Sequence, residues 1–221
     1  MSENLAYLAG AISDGCLVKR KIQNRYDIQF YQKNRGWLEN SIIPRIREFG
    51  SNPKIYGPYK NCYYLKFGNK KLYKNLERQK IMDEADKKLK IIFIRAFWDA
   101  EGSCPHVEKY LAGERKRNKI PPQIGFHQNG FDKVNLLEKM KLFIESNGIK
   151  CSKLEGPFFR MQSNKPEFRF WIYGKHRIKS FIEIFQPEHP DKKYRSDLLV
   201  GLERLSKPHT LTVLTQLAIV D

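Results

Sequence analysis

Two apolar runs, YLAGAISDG (Tyr7 to Gly15) and IRAFWDAEG (Ile94 to Gly102), end alike, in a carboxylate followed by glycine. Aligned on those glycines, small residues coincide twice, Ala9 with Ala96 and Ser13 with Ala100. Each pair is four apart and so lies on one face of a helix. Small residues at that spacing let a second helix backbone approach closely. One Asp-Gly is an ordinary turn. Two at equivalent places argue for a repeat, with Ala9, Ser13, Ala96 and Ala100 as the interface between two helices.

The repetition extends beyond the runs. IQFYQK (Ile28 to Lys33) is echoed by IGFHQN (Ile124 to Asn129), and each precedes an amphipathic segment that stops at a glycine, Gly50 or Gly148. YLKFGNKKLYKNL (Tyr64 to Leu76) pairs with FWIYGKHRIKSFI (Phe170 to Ile182), strand residues leading through glycine into a basic helix. The offset grows from 87 (Asp14 to Glu101) to 96 (Gln32 to Gln128) to 106 (Gly68 to Gly174), as loop insertions in the second copy would cause. Each copy reads helix, two strands, helix, two strands, helix. That is an α+β unit whose sheet is backed by helices. The expected division is residues 1–88, residues 89–205 and an extension, 206–221, without a counterpart.

Between Lys21 and Lys33, Ile22, Tyr26, Ile28 and Phe30 alternate with Lys21, Gln23, Arg25, Asp27, Gln29, Tyr31 and Lys33. This period of two gives one face to the core and one to long polar side chains. Such a face is either ordinary solvated surface or a surface for base edges and phosphates. Charge favours the second: 41 Lys and Arg against 24 Asp and Glu give +17, spread along the chain. Each cation that meets a phosphate releases condensed counterions. The residues expected on DNA are Lys19, Arg20, Lys21, Gln23, Arg25, Asp27, Gln29 and Tyr31 in the first strand pair, with Lys66, Lys70 and Lys71 beyond it. In the second copy they are Arg115, Lys116, Arg117 and Lys119 of the loop GERKRNK, then Gln123, His127, Arg169, Lys175 and Arg177.

The four cysteines are scattered without a C-x-x-C pair, which argues against a structural zinc site. No apolar run approaches the ~20 residues that span a bilayer, and the stretch at Leu5 lacks a basic leader. A soluble, intracellular protein without membrane contact is expected.

A carboxylate on the last turn of a helix meets the negative end of the helix dipole, at a cost of a few tenths to ~1 kcal/mol. If the small faces of the two helices pack, Asp14 and Glu101 come together, and like charges held close need a proton or cation between them. Mg²⁺ takes one or two protein carboxylates and completes its shell with water and phosphate oxygens. Such a site can activate water for in-line attack on a phosphodiester.

The paired runs resemble the motifs of the LAGLIDADG homing endonucleases in their single-chain, two-repeat form, and the likeness extends to about residue 205. The resemblance implies two pseudo-symmetric αββαββα halves, motif helices at their interface, and saddle-shaped antiparallel sheets in the major groove of double-stranded DNA. It implies a monomeric, intron-encoded enzyme that makes a double-strand break with Mg²⁺ or another divalent cation such as Mn²⁺. Asp14 and Glu101 would be the metal carboxylates, with Gly15 and Gly102 beside them. Gln32 and Lys33, with Gln128 and Asn129, would position water. The motifs carry Ala9 and Ala96 where the family usually has a close-packing glycine, so the helices are expected slightly further apart. Asn129 stands where a second lysine could, so the two strands are expected to be cut unequally.

Three other readings are weighed. An intein needs a nucleophile at its first residue and a His-Asn end, whereas this chain begins Met1-Ser2 and ends Val220-Asp221. A binding-only regulator of similar fold would have lost the acidic ends. An RNA maturase that assists intron splicing could use the same basic surface.

Overall fold

The computed structural model describes residues 1–20, 24–76, 78–104, 123–159 and 164–205. Lys21, Gln23, Arg115, Lys116, Arg117, Lys119 and the extension 206–221 lie outside the described residues.

Helix α1 (Glu3–Ala11) begins at Ser2, whose side chain accepts a hydrogen bond from the Leu5 N–H, and Glu3 favours the positive end of its dipole. Every residue from Leu5 to Ala11 is buried, as in a helix surrounded by protein rather than lying on a surface. The helix stops earlier than the motif: Ile12–Asp14 forms a 3₁₀ turn, so Ser13 and Asp14 lie beyond the α-helix. Strands β1 (Gly15–Arg20) and β2 (Arg25–Gln32) follow. Asn34 then caps a helix that runs through α2 (Arg35–Trp37), a π turn (Leu38–Ile42) and α3 (Ile43–Arg47). The wide turn ends two residues before Pro44, which has no N–H to give to the helical ladder.

Strands β3 (Ile55–Tyr59) and β4 (Cys62–Gly68) lead into α4 (Lys70–Asn75) and α5 (Arg78–Glu84). The second motif helix, α6 (Lys87–Glu101), is capped by Asp86 and carries its motif carboxylate as its last residue. Beyond it come β5 (Gln123–Asn129), α7 (Val134–Ser146), β6 (Glu155–Phe158), β7 (Glu167–Tyr173), α8 (Lys175–Phe185) and α9 (Pro190–Leu205). The two helices expected to end at glycine do so, at Gly50 (φ 76°) and Gly148 (φ 81°).

The fold is α+β with two antiparallel sheets, ordered β1-β2-β4-β3 and β5-β7-β6. A bridge from Ser103 to Gly125 occupies the side of β5 that corresponds to β1 on β2. One contiguous core joins both sheets through α1 and α6. The most extensive helix packing in the molecule is between these two helices.

A close approach of the two helices lies at Gly10. A Cβ on Gly10 would lie 2.2 Å from Phe93 O, 2.9 Å from Phe97 N and 3.0 Å from Ala96 Cβ. Gly10, one place on from Ala9, leaves the space for this approach, and Ala96 is the small residue opposite it. Ser13 turns back to donate a 2.8 Å hydrogen bond to Gly10 O, and Ala100 is half-buried.

The terminal helices of each part cross to the other. Asp83 on α5 pairs with Lys139 on α7 at 2.5 Å, and Asp191 on α9 accepts from Asn34, the cap of α2, at 3.3 Å. Among the described residues no helix is long and apolar enough to cross a membrane.

Gly10→Ala drives a methyl into the α6 backbone and is expected to destabilise the protein by about 1–3 kcal/mol. Gly68→Ala, whose added Cβ meets only Tyr26 O at 3.7 Å, is the tolerated control in thermal melts.

Candidate functional site

Asp14 leaves α1 on its 3₁₀ turn and Glu101 ends α6, so the packing of the two helices sets where both carboxylates lie. The glycine after each is needed for space. A Cβ on Gly15 would lie 2.1 Å from Gln29 O across the β1–β2 pair, and one on Gly102 would lie 2.0 Å from Trp98 Cδ1. Gly15 and Gly102 thus hold the next strand and the Trp98 ring close behind the acids. Burial, and then the negative charge of Glu101, raise Asp14 to about 7, against the smaller opposing pull of Lys192 and Lys33.

Residues from both sheets reach this pair. Gln32, on the core-facing register of β2 with Ile28 and Phe30, approaches Asp14 with its Nε2 at 3.5 Å from Oδ2. Its Oε1 accepts from Lys33 N at 2.8 Å. His127 Nε2 lies 3.7 Å from Glu101 Oε2. Gln128 is buried on the register of Ile124 and Phe126, while Asn129 is exposed at the end of β5.

The sequence reading missed Lys192. This α9 lysine is buried and donates to the carbonyls of Trp98 and, at 2.8 Å, Asp99. It therefore supplies a cation at the negative end of α6, where the helix finishes in Glu101. Burial pulls Lys192 down to about 8, while Asp99, Cys104, Glu101 and Asp14 pull the other way. Asp99, fully buried, accepts from Tyr7 OH and from Glu188 N, each at 3.0 Å, and burial raises it to about 6. Trp37 Nε1 donates to the same phenol at 3.0 Å. Arg45 stacks over the Tyr7 ring at 3.8 Å and pairs with Glu188 at 3.0 Å. Asp99 thus holds the segment leading into α9, and α9 returns Lys192 to α6. No local pattern marks Lys192, because only the docking of α9 buries it.

The open face of the first sheet carries most of the residues expected on DNA from that part of the chain. Register sets Tyr31 beside Tyr64 and Tyr64 beside Tyr56; Gln29 lies between Cys16 and Lys66. Tyr31 donates to the Gln29 side-chain oxygen. One assignment changes, and two residues lie off this face. Asp27 is fully buried, covered by Arg25 at 2.6 Å and Arg20 at 3.2 Å, so it holds these arginines rather than reaching a ligand. The ammonium groups of Lys19 and Lys70 sit over the ring of Tyr26, 5.6 and 5.4 Å from its centre, on the side where Tyr73 of α4 packs. Lys71 is exposed on the same helix.

On the second sheet Arg169 lies beside both His127 and Glu155 and pairs with Glu155 at 3.2 Å. Gln123 starts β5, half-buried, and Lys175 and Arg177 are exposed on the first turn of α8. Among the described residues no group of three or more His, Cys, Asp or Glu could hold a metal ion. The donor set of Asp14 and Glu101 fits an ion that keeps water and substrate oxygens in its shell, as Mg²⁺ does, better than one that needs a closed protein cage.

Two measurements test this electrostatic arrangement. Asp14 is raised above its ordinary value, so the folded apo-protein loses stability as pH rises from about 4 through 7. Asp14→Asn removes that loss, and its melting temperature should exceed wild type by more at pH 8 than at pH 5. Lys192→Met leaves Asp99 buried without its cation and should cost about 3 kcal/mol, whereas exposed Lys193→Met should be near neutral in denaturant titrations.

No family model matches the chain, and no curated protein matches it by sequence. Solved structures do. The homing endonuclease I-DmoI in complex with DNA and Ca is similar with a TM-score of 0.60 and 20% identity, covering 91% of this chain and 97% of that one. The homing endonuclease I-WcaI bound to its DNA recognition sequence gives 0.58 and 16%, covering 88% and 86%. Full-length DUF199/WhiA from Thermatoga maritima gives 0.59 and 14%, covering 98% of this chain and 66% of that chain. The chain thus has the α+β fold of the I-DmoI structures.

Proposed function

We propose that this chain is a LAGLIDADG-type homing endonuclease: a site-specific DNA endonuclease that makes a double-strand break in a long recognition site. The observation that carries the proposal is the meeting of Asp14 and Glu101 at the adjoining ends of two packed helices, with an open, polar sheet face on each side. Burial, and then the proximity of Glu101, push Asp14 to about 7, as suits an acid with a chemical task. Phosphodiester hydrolysis is such a task, because a divalent cation held by the two carboxylates would remove the cost.

In this reading Asp14 and Glu101 hold Mg²⁺ or Mn²⁺, which supplies Lewis-acid stabilisation of the phosphate oxygens and a more acidic water. The similar I-DmoI structures include complexes of DNA with Ca and with Mn. Gln32 orients the Asp14 carboxylate through its amide. Lys33 brings an exposed cation to the same edge, where it meets a phosphate and favours the ionised form of Asp14. Lys192 supports the floor of the site by offsetting the carbonyl end of α6. Gln128 and Asn129 occupy the corresponding end of β5. The DNA is held through phosphate contacts by Arg20, Arg25, Lys66, Lys175 and Arg177, and is read by the sheet faces. Intron encoding, action as a monomer and a pseudo-twofold relation between residues 1–88 and 89–205 belong to the same proposal.

Asp14→Asn and Glu101→Gln should each abolish cleavage of a mapped target in Mg²⁺ while leaving DNA affinity within a fewfold of wild type, because phosphate contacts lie elsewhere. Retained cutting by either variant would reject the site. In a nicking assay on supercoiled plasmid, Lys33→Ala should slow the cut of one strand more than Asn129→Ala slows the other; equal effects would count against unequal roles.

A further inference from the structure

The two sheets carry different chemistry at the same register position. In the first sheet, β2, β4 and β3 set Tyr31, Tyr64 and Tyr56 side by side, with ring centres 6.1 Å apart for the first pair and 5.3 Å for the second. In the second sheet, β5, β7 and β6 set His127, Arg169 and Glu155 side by side. The rows correspond strand for strand. Tyr31 and His127 each stand immediately before the glutamine that ends the IQFYQ and IGFHQ repeat, and Tyr56 and Glu155 each precede a Gly-Pro. Both rows lie at the end of their sheet nearest the paired carboxylates, since Gln32 reaches Asp14 and His127 reaches Glu101.

A row of tyrosines, Tyr64 stacked on Tyr56 and tilted against Tyr31, offers ring edges where a row of Arg, His and Glu offers donors and an acceptor. In the major groove the only apolar feature is the thymine methyl, whereas guanine presents two acceptors, O6 and N7, to a guanidinium. Arg169 is already aimed: Glu155 holds its Nε at 3.2 Å, and its guanidinium lies over the ring of Phe158 at 4.3 Å.

Building on the proposed function, we infer that equivalent positions of the two half-sites are read as different bases. The Tyr31–Tyr64–Tyr56 row reads thymine methyls in one half. The His127–Arg169–Glu155 row reads a G·C pair in the other, with guanine on Arg169.

The test uses the full chain and its mapped target as labelled duplexes, with binding measured by anisotropy without divalent metal. Replacing thymines by deoxyuridine in the half-site on the first sheet removes only methyls, and each contacted position should weaken binding about fourfold. The same replacement in the other half should change it by less than twofold, while 7-deazaguanine should weaken binding there alone. Tyr64→Ser should lose the deoxyuridine effect, and Arg169→Gln the 7-deazaguanine effect, each with binding to the opposite half unchanged. A sequence-specific complex equally sensitive to both replacements in both halves would overturn this inference and leave the endonuclease assignment standing. Failure to find any sequence-specific complex would overturn both.

Discussion

The contact of α1 with α6 at Gly10 is the constraint on which the rest depends. A side chain there would occupy the space of Phe93 O and Phe97 N, so the two helices run as close as backbone allows. Each helix is buried over most of its length and shares one core with both sheets. Separating them would open the core common to both parts of the chain. It would also part Asp14 from Glu101, because each acid stands at the end of one of these helices. Stability and candidate chemistry therefore rest on one packing surface.

Holding two acids at adjoining helix ends opposes simple electrostatics, and the molecule answers with buried polar groups drawn from distant sequence. Asp99 accepts from Tyr7 of α1 and from the backbone before α9; Lys192 of α9 returns to the carbonyls of α6. Arg45 and Arg95 converge on Glu188 at 3.0 and 3.4 Å. The low local dielectric strengthens the bonds that are made, while Asp99 Oδ1 and Arg45 Nε have no hydrogen-bond partner among the described residues. The network fixes α9 across α2 and α6, so the last helix of the chain completes a site whose first acid is Asp14.

Much of this was legible in the linear chain. The two motif helices, the helix stops at Gly50 and Gly148 and the α+β class followed from small-residue spacing, alternation and glycine placement, which are local properties. The sequence is silent where two elements share the same space. Alignment set Ala9 opposite Ala96, and the structure adds Gly10, one place on, as a point of backbone approach. Asp27 kept the alternation of an open strand but disappears beneath Arg20 and Arg25. Lys19 and Lys70 lie over the ring of Tyr26.

By itself the sequence showed two similar small-residue runs that finish in acids, and polar strands accompanied by a large positive charge. These are consequences of periodicity and composition, which act over a few residues at a time. Only the tertiary structure decided that Gly10 is a point of contact, that Lys192 lies beneath the acids, and that a tyrosine row on one sheet faces the same register position as His127, Arg169 and Glu155 on the other. Each of these depends on residues tens of positions apart sharing one small volume, and no pattern within a single segment encodes that.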